Sequence, residues 1–166
     1  MPARLLLANR KLFIALFLLL VLPLSAASSP FDKNTLASLE QTYKGQSWLL
    51  VLWSVDCAPC HMELDLIAAM VQKNKNLRVE LVATDPPENQ RAVEQRINTS
   101  NLASWQFASN NDAAIRYAID SNWRGEQPRN YFYQANGQRC AKSGALTAQQ
   151  IEGWFAKQQV SCGVLD

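Results

Sequence analysis

Cys57 and Cys60, inside the run Ser54-Val-Asp-Cys-Ala-Pro-Cys-His61, are the residues whose types and spacing most directly spell chemistry. A continuous apolar stretch, Trp48-Leu-Leu-Val-Leu-Trp53, precedes them and has the length of a strand buried on both faces of a parallel sheet. Behind them, Pro59 suits a first helical turn, and Met62, Leu66, Ile67, Met70 and Val71 recur at three- and four-residue intervals, so a helix is predicted. A cysteine at a helix N-terminus meets unpaired N–H groups and partial positive charge, which favour its thiolate over its thiol. The Cys57 thiolate can then attack a disulfide, and Cys60, one turn further on, resolves the mixed disulfide that results. Cys57 is the expected nucleophile because it is nearer the helix end, and Cys60 is expected to be more buried. The neighbours pull in opposite directions: Asp56 raises the Cys57 pKa, whereas His61, when protonated, lowers it. The simpler reading of His61, the single histidine, is a solvated first-turn residue, and Met62 is expected in the core.

The rest of the chain beyond residue 30 alternates strands and helices. Residues 34–43 have helical spacing, with Leu36 and Leu39 on one face and Gly45 as a stop. Residues 79–83 predict a short strand, and Asp85-Pro-Pro-Glu88 resembles a cap for a helix presenting Val93 and Ile97. Asp112 can cap another helix, through Ile115 to Ile119. After Pro128, Tyr131-Phe-Tyr133 and residues 139–142 flank Asn136-Gly137, a hairpin signal. Thr147-Ala-Gln-Gln150 fits a capping box opening a final helix with Ile151, Trp154 and Phe155 facing inward. Parallel strands joined by helices, closed by an antiparallel hairpin and a last helix, make a three-layer α/β domain over residues 28–166.

The first 27 residues read as an address. Arg10-Lys11 ends a positive stretch, the apolar run from Leu12 to Leu22 follows, and Ser25-Ala26-Ala27 suits a signal peptidase cutting after Ala27. A retained membrane anchor is the competing reading; Pro23 and an apolar run shorter than the ~20 residues of a spanning helix weigh against it. Both readings place the remainder outside the cytoplasm, where disulfides persist. Hydrophobic residues make up 48% of the 166, which excludes an intrinsically disordered chain. Of 16 Lys and Arg, three lie in the leader, leaving 13 against 14 Asp and Glu, so the surplus that phosphate-backbone binding requires is absent and nucleic acid is not an expected partner.

The strand before Cys57, the helix after Cys60, the proline ahead of Tyr131-Phe-Tyr133 and the Asn136-Gly137 hairpin together resemble the thioredoxin-like family over nearly all of residues 31–160. The nearer resemblance is to its exported TlpA/ResA-type thiol–disulfide reductases, through Trp53, Cys57, Pro59, Cys60 and Glu63, then Tyr117 and Gly144-x-Leu146-Thr147. It implies a three-layer α/β/α sandwich with a central mixed sheet, and a reductase that works without a cofactor. Carried over by position, Pro128 is similar to the family's cis-proline, and the backbone of Gln127 would pair with an extended substrate strand. Glu63 looks like the branch's acid, assisting proton transfer at Cys60; the plainer reading is an exposed helix carboxylate. The implied partners are thiol- or disulfide-bearing extracytoplasmic proteins and a membrane thiol donor. Departures are Val51, where thioredoxin has a buried Asp, and Asp56 and Asp65, where the family often has an aromatic and a Pro. The segment 119–127 is also longer than usual, and its Trp123 and Arg124 would lie at the rim of the site.

Cys140 and Cys162 lie outside the redox motif, and the favoured pairing is Cys57–Cys60 with a structural Cys140–Cys162 bridge. Other readings use the same residues. Cys57-Ala-Pro-Cys60-His61 is also a c-type haem attachment sequence, with Met70 or Met62 completing the iron. Soft thiolates suit Cu(I), though no second His exists to help. A redox-inert interaction domain leaves the two cysteines without a use, and an oxidase or isomerase would differ from a reductase only in potential.

Overall fold

The computed structural model describes residues 28–98, 102 and 104–156; the expected leader and Cys162 lie outside them. The apolar run becomes the strand β2 (Trp48–Trp53), every residue of it at most 2% exposed. Alternation sends Leu49, Val51 and Trp53 into one core and Trp48, Leu50 and Leu52 into another. Each such side chain contributes about 1.5–3 kcal/mol relative to exposure, so this one segment ties both layers together.

Around it lie β1 (Ser29–Phe31), β3 (Val79–Ala83), β4 (Ser104–Phe107), β5 (Arg129–Tyr133) and β6 (Arg139–Ser143), in the order β1-β4-β3-β2-β5-β6. The first four in that order are parallel, β5 runs antiparallel to β2, and β6 antiparallel to β5. The helices are α1 (Lys33–Thr42), α2 (Ala58–Lys73), α3 (Gln90–Ile97), α4 (Asp112–Ile119) and α5 (Ala148–Ala156). Helices α2, α3 and α5 bury Leu64, Ile67, Val93, Ile97, Ile151 and Trp154 on one face of the sheet. Leu36 and Leu39 of α1, with Ile115 and Ile119 of α4, cover the other. The result is the three-layer α/β/α sandwich with a mixed sheet. Among the described residues, no helix is long and apolar enough to cross a membrane.

Direction in the sheet decides where chemistry can gather. Parallel β2 and β3 end on the same side, with Trp53 opposite Ala83. Antiparallel β5 begins there, Arg129 standing opposite Leu52. Three loops therefore meet at one end: residues 54–57, residues 84–86 and the segment ending at Pro128.

The local signals of the sequence are met to different degrees. The Thr147 capping box forms, with the Thr147 N–H donating to Gln150 Oε1 (2.9 Å) and the Gln150 N–H to Thr147 Oγ1 (3.3 Å). Gly137 takes φ +84° in the hairpin, a conformation open to it because it lacks a Cβ. Strands β1 and β4 were not foreseen; at 3 and 4 residues they are too short to carry a periodicity. The cap of α4 is Asn111 rather than Asp112. Asp85 does not cap a helix, and Met62 is 68% exposed rather than core, because α2 turns that side toward solvent.

Candidate active site

The loop after β2 is held by backbone and side-chain groups of neighbouring segments. The Thr84 N–H donates to the Trp53 carbonyl (2.8 Å), joining the loop's start to the end of β3. The Cys57 N–H donates to the Ser54 carbonyl (3.2 Å) in a tight turn. Between them, the Val55 N–H donates to the Asp85 carboxylate (3.1 Å), and its carbonyl accepts from His61 Nε2 (3.0 Å), so that nitrogen carries a hydrogen. Burial raises the Asp85 pKa, the Val55 N–H opposes that, and Asp56 adds to it.

Cys57 is the N-cap residue of α2, with Pro59 in the first turn. Its Sγ accepts from the Cys60 N–H (3.3 Å), and its carbonyl accepts from Cys60 (3.0 Å) and His61 (3.3 Å). A donor aimed at sulfur from a helix N-terminus would stabilise a thiolate at the same place. Cys57 and Cys60 are joined as a disulfide, Cys57 partly exposed and Cys60 fully buried. Attack from outside can thus reach Cys57, while Cys60 reacts from within.

Glu63 lies one turn beyond Cys60 and is 1% exposed, so it is a buried acid and not a surface carboxylate. Its Oε1 accepts from the Leu146 N–H (2.9 Å), and Oε2 makes no hydrogen bond. Burial pushes its pKa from 4.5 up to about 7, against the Leu146 N–H and the Asn130 side chain, which favour the charged form. A carboxyl poised there can give or take a proton near neutral pH.

The Gln127–Pro128 peptide bond is cis. The Gln127 side chain is pinned at both ends: Oε1 accepts from the Ser54 hydroxyl (2.7 Å), and Nε2 donates to Thr84 Oγ1. That holds the proline segment against the cysteine loop. The Pro128 carbonyl accepts from the Gly144 N–H (2.9 Å), while the Gln127 N–H and C=O have no intrachain partner among the described residues.

These five sequence-predicted residues therefore converge on one end of the sheet, and the others do not join them. Cys140, on β6, is 2% exposed and disulfide-bonded; its expected partner, Cys162, lies outside the described residues. Trp123 covers the second core, its Nε1 donating to the Glu126 carbonyl (2.8 Å). Asp65 is exposed and pairs with Arg96 (2.7 Å). Sequence reasoning missed Asp85, Ser54, Thr84 and Asn130 as parts of the site. Only Asn130 left a signal, since its alternation with Phe132 puts a polar side chain on the same buried face of β5 as that phenylalanine.

No family model matches the chain. It is 28% identical over 136 residues to the thiol-disulfide oxidoreductase ResA of Oceanobacillus iheyensis, covering 80% of this chain and 66% of that protein. It is 26% identical over 122 residues to ResA of Bacillus cereus, covering 69% and 64%. The chain thus spans about two thirds of the length of the curated relatives it matches. Among solved structures, it is similar to a secreted disulfide oxidoreductase of Mycobacterium tuberculosis homologous to E. coli DsbE, with TM-score 0.56, 19% identity and coverage of 70% of this chain and 84% of that one. It is also similar to StoA of Bacillus subtilis, with TM-score 0.51, 23% identity and coverage of 67% and 83%. A DsbF homologue from Corynebacterium diphtheriae gives TM-score 0.57, 17% identity and coverage of 70% and 74%.

Proposed function

We propose that this chain, which has a thioredoxin-like fold and is similar to ResA-type proteins, is an extracytoplasmic thiol–disulfide oxidoreductase that reduces disulfides of other exported proteins. The observation that carries the reading is a redox pair split by exposure, with Cys57 at the mouth of a helix and Cys60 beneath it.

In the reduced protein, the Cys57 thiolate attacks one sulfur of a client disulfide. One client thiolate leaves and takes a proton, and a Cys57–client bond forms. Glu63 accepts the proton of Cys60, whose sulfur then attacks Cys57 Sγ and expels the second client thiolate, which is protonated in turn. The client gains two electrons and two protons, and the Cys57–Cys60 disulfide present in this structure is the product. The unpaired backbone of Gln127, next to Pro128, holds the client as an added strand. A membrane dithiol donor returns the pair to its reduced form. Cys140–Cys162 acts as a structural bridge, and residues 1–27 direct export.

The haem reading has less support. His61 Nε2 is committed to the Val55 carbonyl, Met62 points to solvent, and the motif forms the turn between a buried strand and its helix.

Two measurements test the proposal. Reduction of insulin disulfides with dithiothreitol as donor should be rapid for the wild type and absent for Cys57→Ser; retained activity in that variant overturns the mechanism. Equilibration of the Cys57–Cys60 pair against a glutathione series reads the direction, since about 30 mV corresponds to about 1.4 kcal/mol for a two-electron couple. A reductase lies well below the poise of its compartment, and a value near the ~−120 mV of the most oxidising pairs overturns that direction.

A further inference from the structure

Glu63, Glu80 and Asp85 are the buried carboxyl residues described, and of these only Glu63 has an oxygen without a hydrogen-bond partner. A second unpartnered buried oxygen, Asn130 Oδ1, belongs to the same surroundings. Asn130 is 0% exposed and stands on β5 directly opposite Val51, so its side chain enters the core that contains Cys60. A valine or leucine there would fill the space with no polar atom to satisfy. The amide instead ties this core to the backbone of residue 144. One Nδ2 hydrogen goes to the Gly144 carbonyl (3.1 Å), and the amide is among the groups that favour the ionised form of Glu63.

The backbone of residues 144–146 completes the arrangement. The Gly144 N–H donates to the Pro128 carbonyl, the Gly144 carbonyl accepts from Asn130, and the Leu146 N–H donates to Glu63 Oε1. This strap fixes one oxygen of the carboxyl and leaves the other unbonded. The core that α2 covers includes Cys60 of α2, Val51 and Trp53 of β2, Phe132 of β5 and Ile151 and Trp154 of α5. None of these carries a fixed charge, and no charged group is among the causes that shift its ionisation.

We propose that Asn130 is a positioning residue for the proton that Glu63 carries: Nδ2 donates to the ionised carboxylate, and the strap at residues 144–146 keeps Oε2 free to take and release the proton. Loss of that donation leaves Glu63 neutral to a higher pH, so the acid would no longer accept the Cys60 proton near neutrality. The inference rests on Glu63 acting as the proton carrier in the function proposed above.

The test is a 13C NMR titration of the Glu63 carboxyl in the oxidised full-length protein, without turnover. The wild type should titrate near pH 7. Asn130→Leu should move the midpoint up by about one pH unit, tenfold in the ionisation constant, and Asn130→Thr, whose hydroxyl can donate, should bring it back toward the wild-type value. An unchanged or lower midpoint in folded Asn130→Leu overturns the proposal. Should the leucine variant fail to fold, the wild type alone decides: the Asn130 side-chain amide resonances must shift with the Glu63 midpoint, and flat resonances overturn the inference. A flat insulin assay with wild-type protein would instead count against the function above, so the two failures are distinguishable.

Discussion

Glu63 and Glu80 are both buried, at 1% and 6% exposed, and they face opposite cores of the same sheet. Glu80 has both oxygens occupied, Oε1 by the Tyr43 hydroxyl (2.5 Å) and Oε2 by Trp105 Nε1 (2.7 Å). Glu63 has one oxygen bound to a backbone N–H and the other bound to nothing. The two carboxyls show two ways in which a buried acid can be accommodated inside a protein. Two good donors hold the first in place and tie α1 to β3 and β4. The second lacks a donor on Oε2, and burial pushes its pKa up to about 7.

Exchanging one acid at a time should separate these roles. Glu63→Gln removes the proton acceptor for Cys60 and should slow resolution of the mixed disulfide at pH 7 by ~10²–10⁴-fold, the range of general acid–base catalysis. Stopped-flow decay of a trapped Cys57–client adduct reads that step, and Glu80→Gln should leave it unchanged. Equal slowing in both variants would abolish the distinction drawn here.

Stability should diverge with pH in a defined direction. Below about pH 4.5 Glu63 is protonated in both the folded and the unfolded chain. Between 4.5 and about 7 the unfolded chain releases a proton that the folded one retains, so stability falls as pH rises through that window. The loss amounts to about 3 kcal/mol by pH 8. Urea unfolding at pH 4 and pH 8 should show it in the wild type and not in Glu63→Gln.

Among changes that act on stability alone, Cys140→Ser with Cys162→Ser should cost on the order of 3 kcal/mol in the chain-entropy model while sparing insulin reduction. Glu80→Gln should cost roughly 1–3 kcal/mol, because one of its two donors then faces an amide N–H₂. Trp105→Phe is the smallest change, about 1 kcal/mol for one hydrogen bond removed near the surface of the second core. Thermal unfolding ranks these three, and an order inverted between the last two would show that Trp105 packing outweighs its bond to Glu80.

The parts of the site that rest on local order were readable in advance. Strand β2 announced itself by six consecutive apolar residues, and helix α2 by its proline and repeating apolar face. Their junction placed Cys57 and Cys60. Glu63 was legible as a residue but not as a buried one, because three residues past Cys60 the helix could have turned either solvent or core to that position. The parts that come from distant segments were not readable. Asp85 looked like the cap of the helix beside it, yet its carboxylate serves Val55, thirty residues back, because parallel β2 and β3 bring their ends together. Met62 fitted the helical repeat, but only α2's neighbours decide which of its sides is covered.

What the sequence determined by itself was the order of the elements and the identity of the reactive sulfurs, since both follow from the periodicity of neighbouring residues and from the helix N-terminus that must begin where the strand stops. What the tertiary structure decided was the environment of the proton. The Leu146 N–H reaches Glu63, and the Gln127 side chain reaches Ser54, from far along the chain. Desolvation depends on what packs around a group, and no spacing in the sequence encodes that.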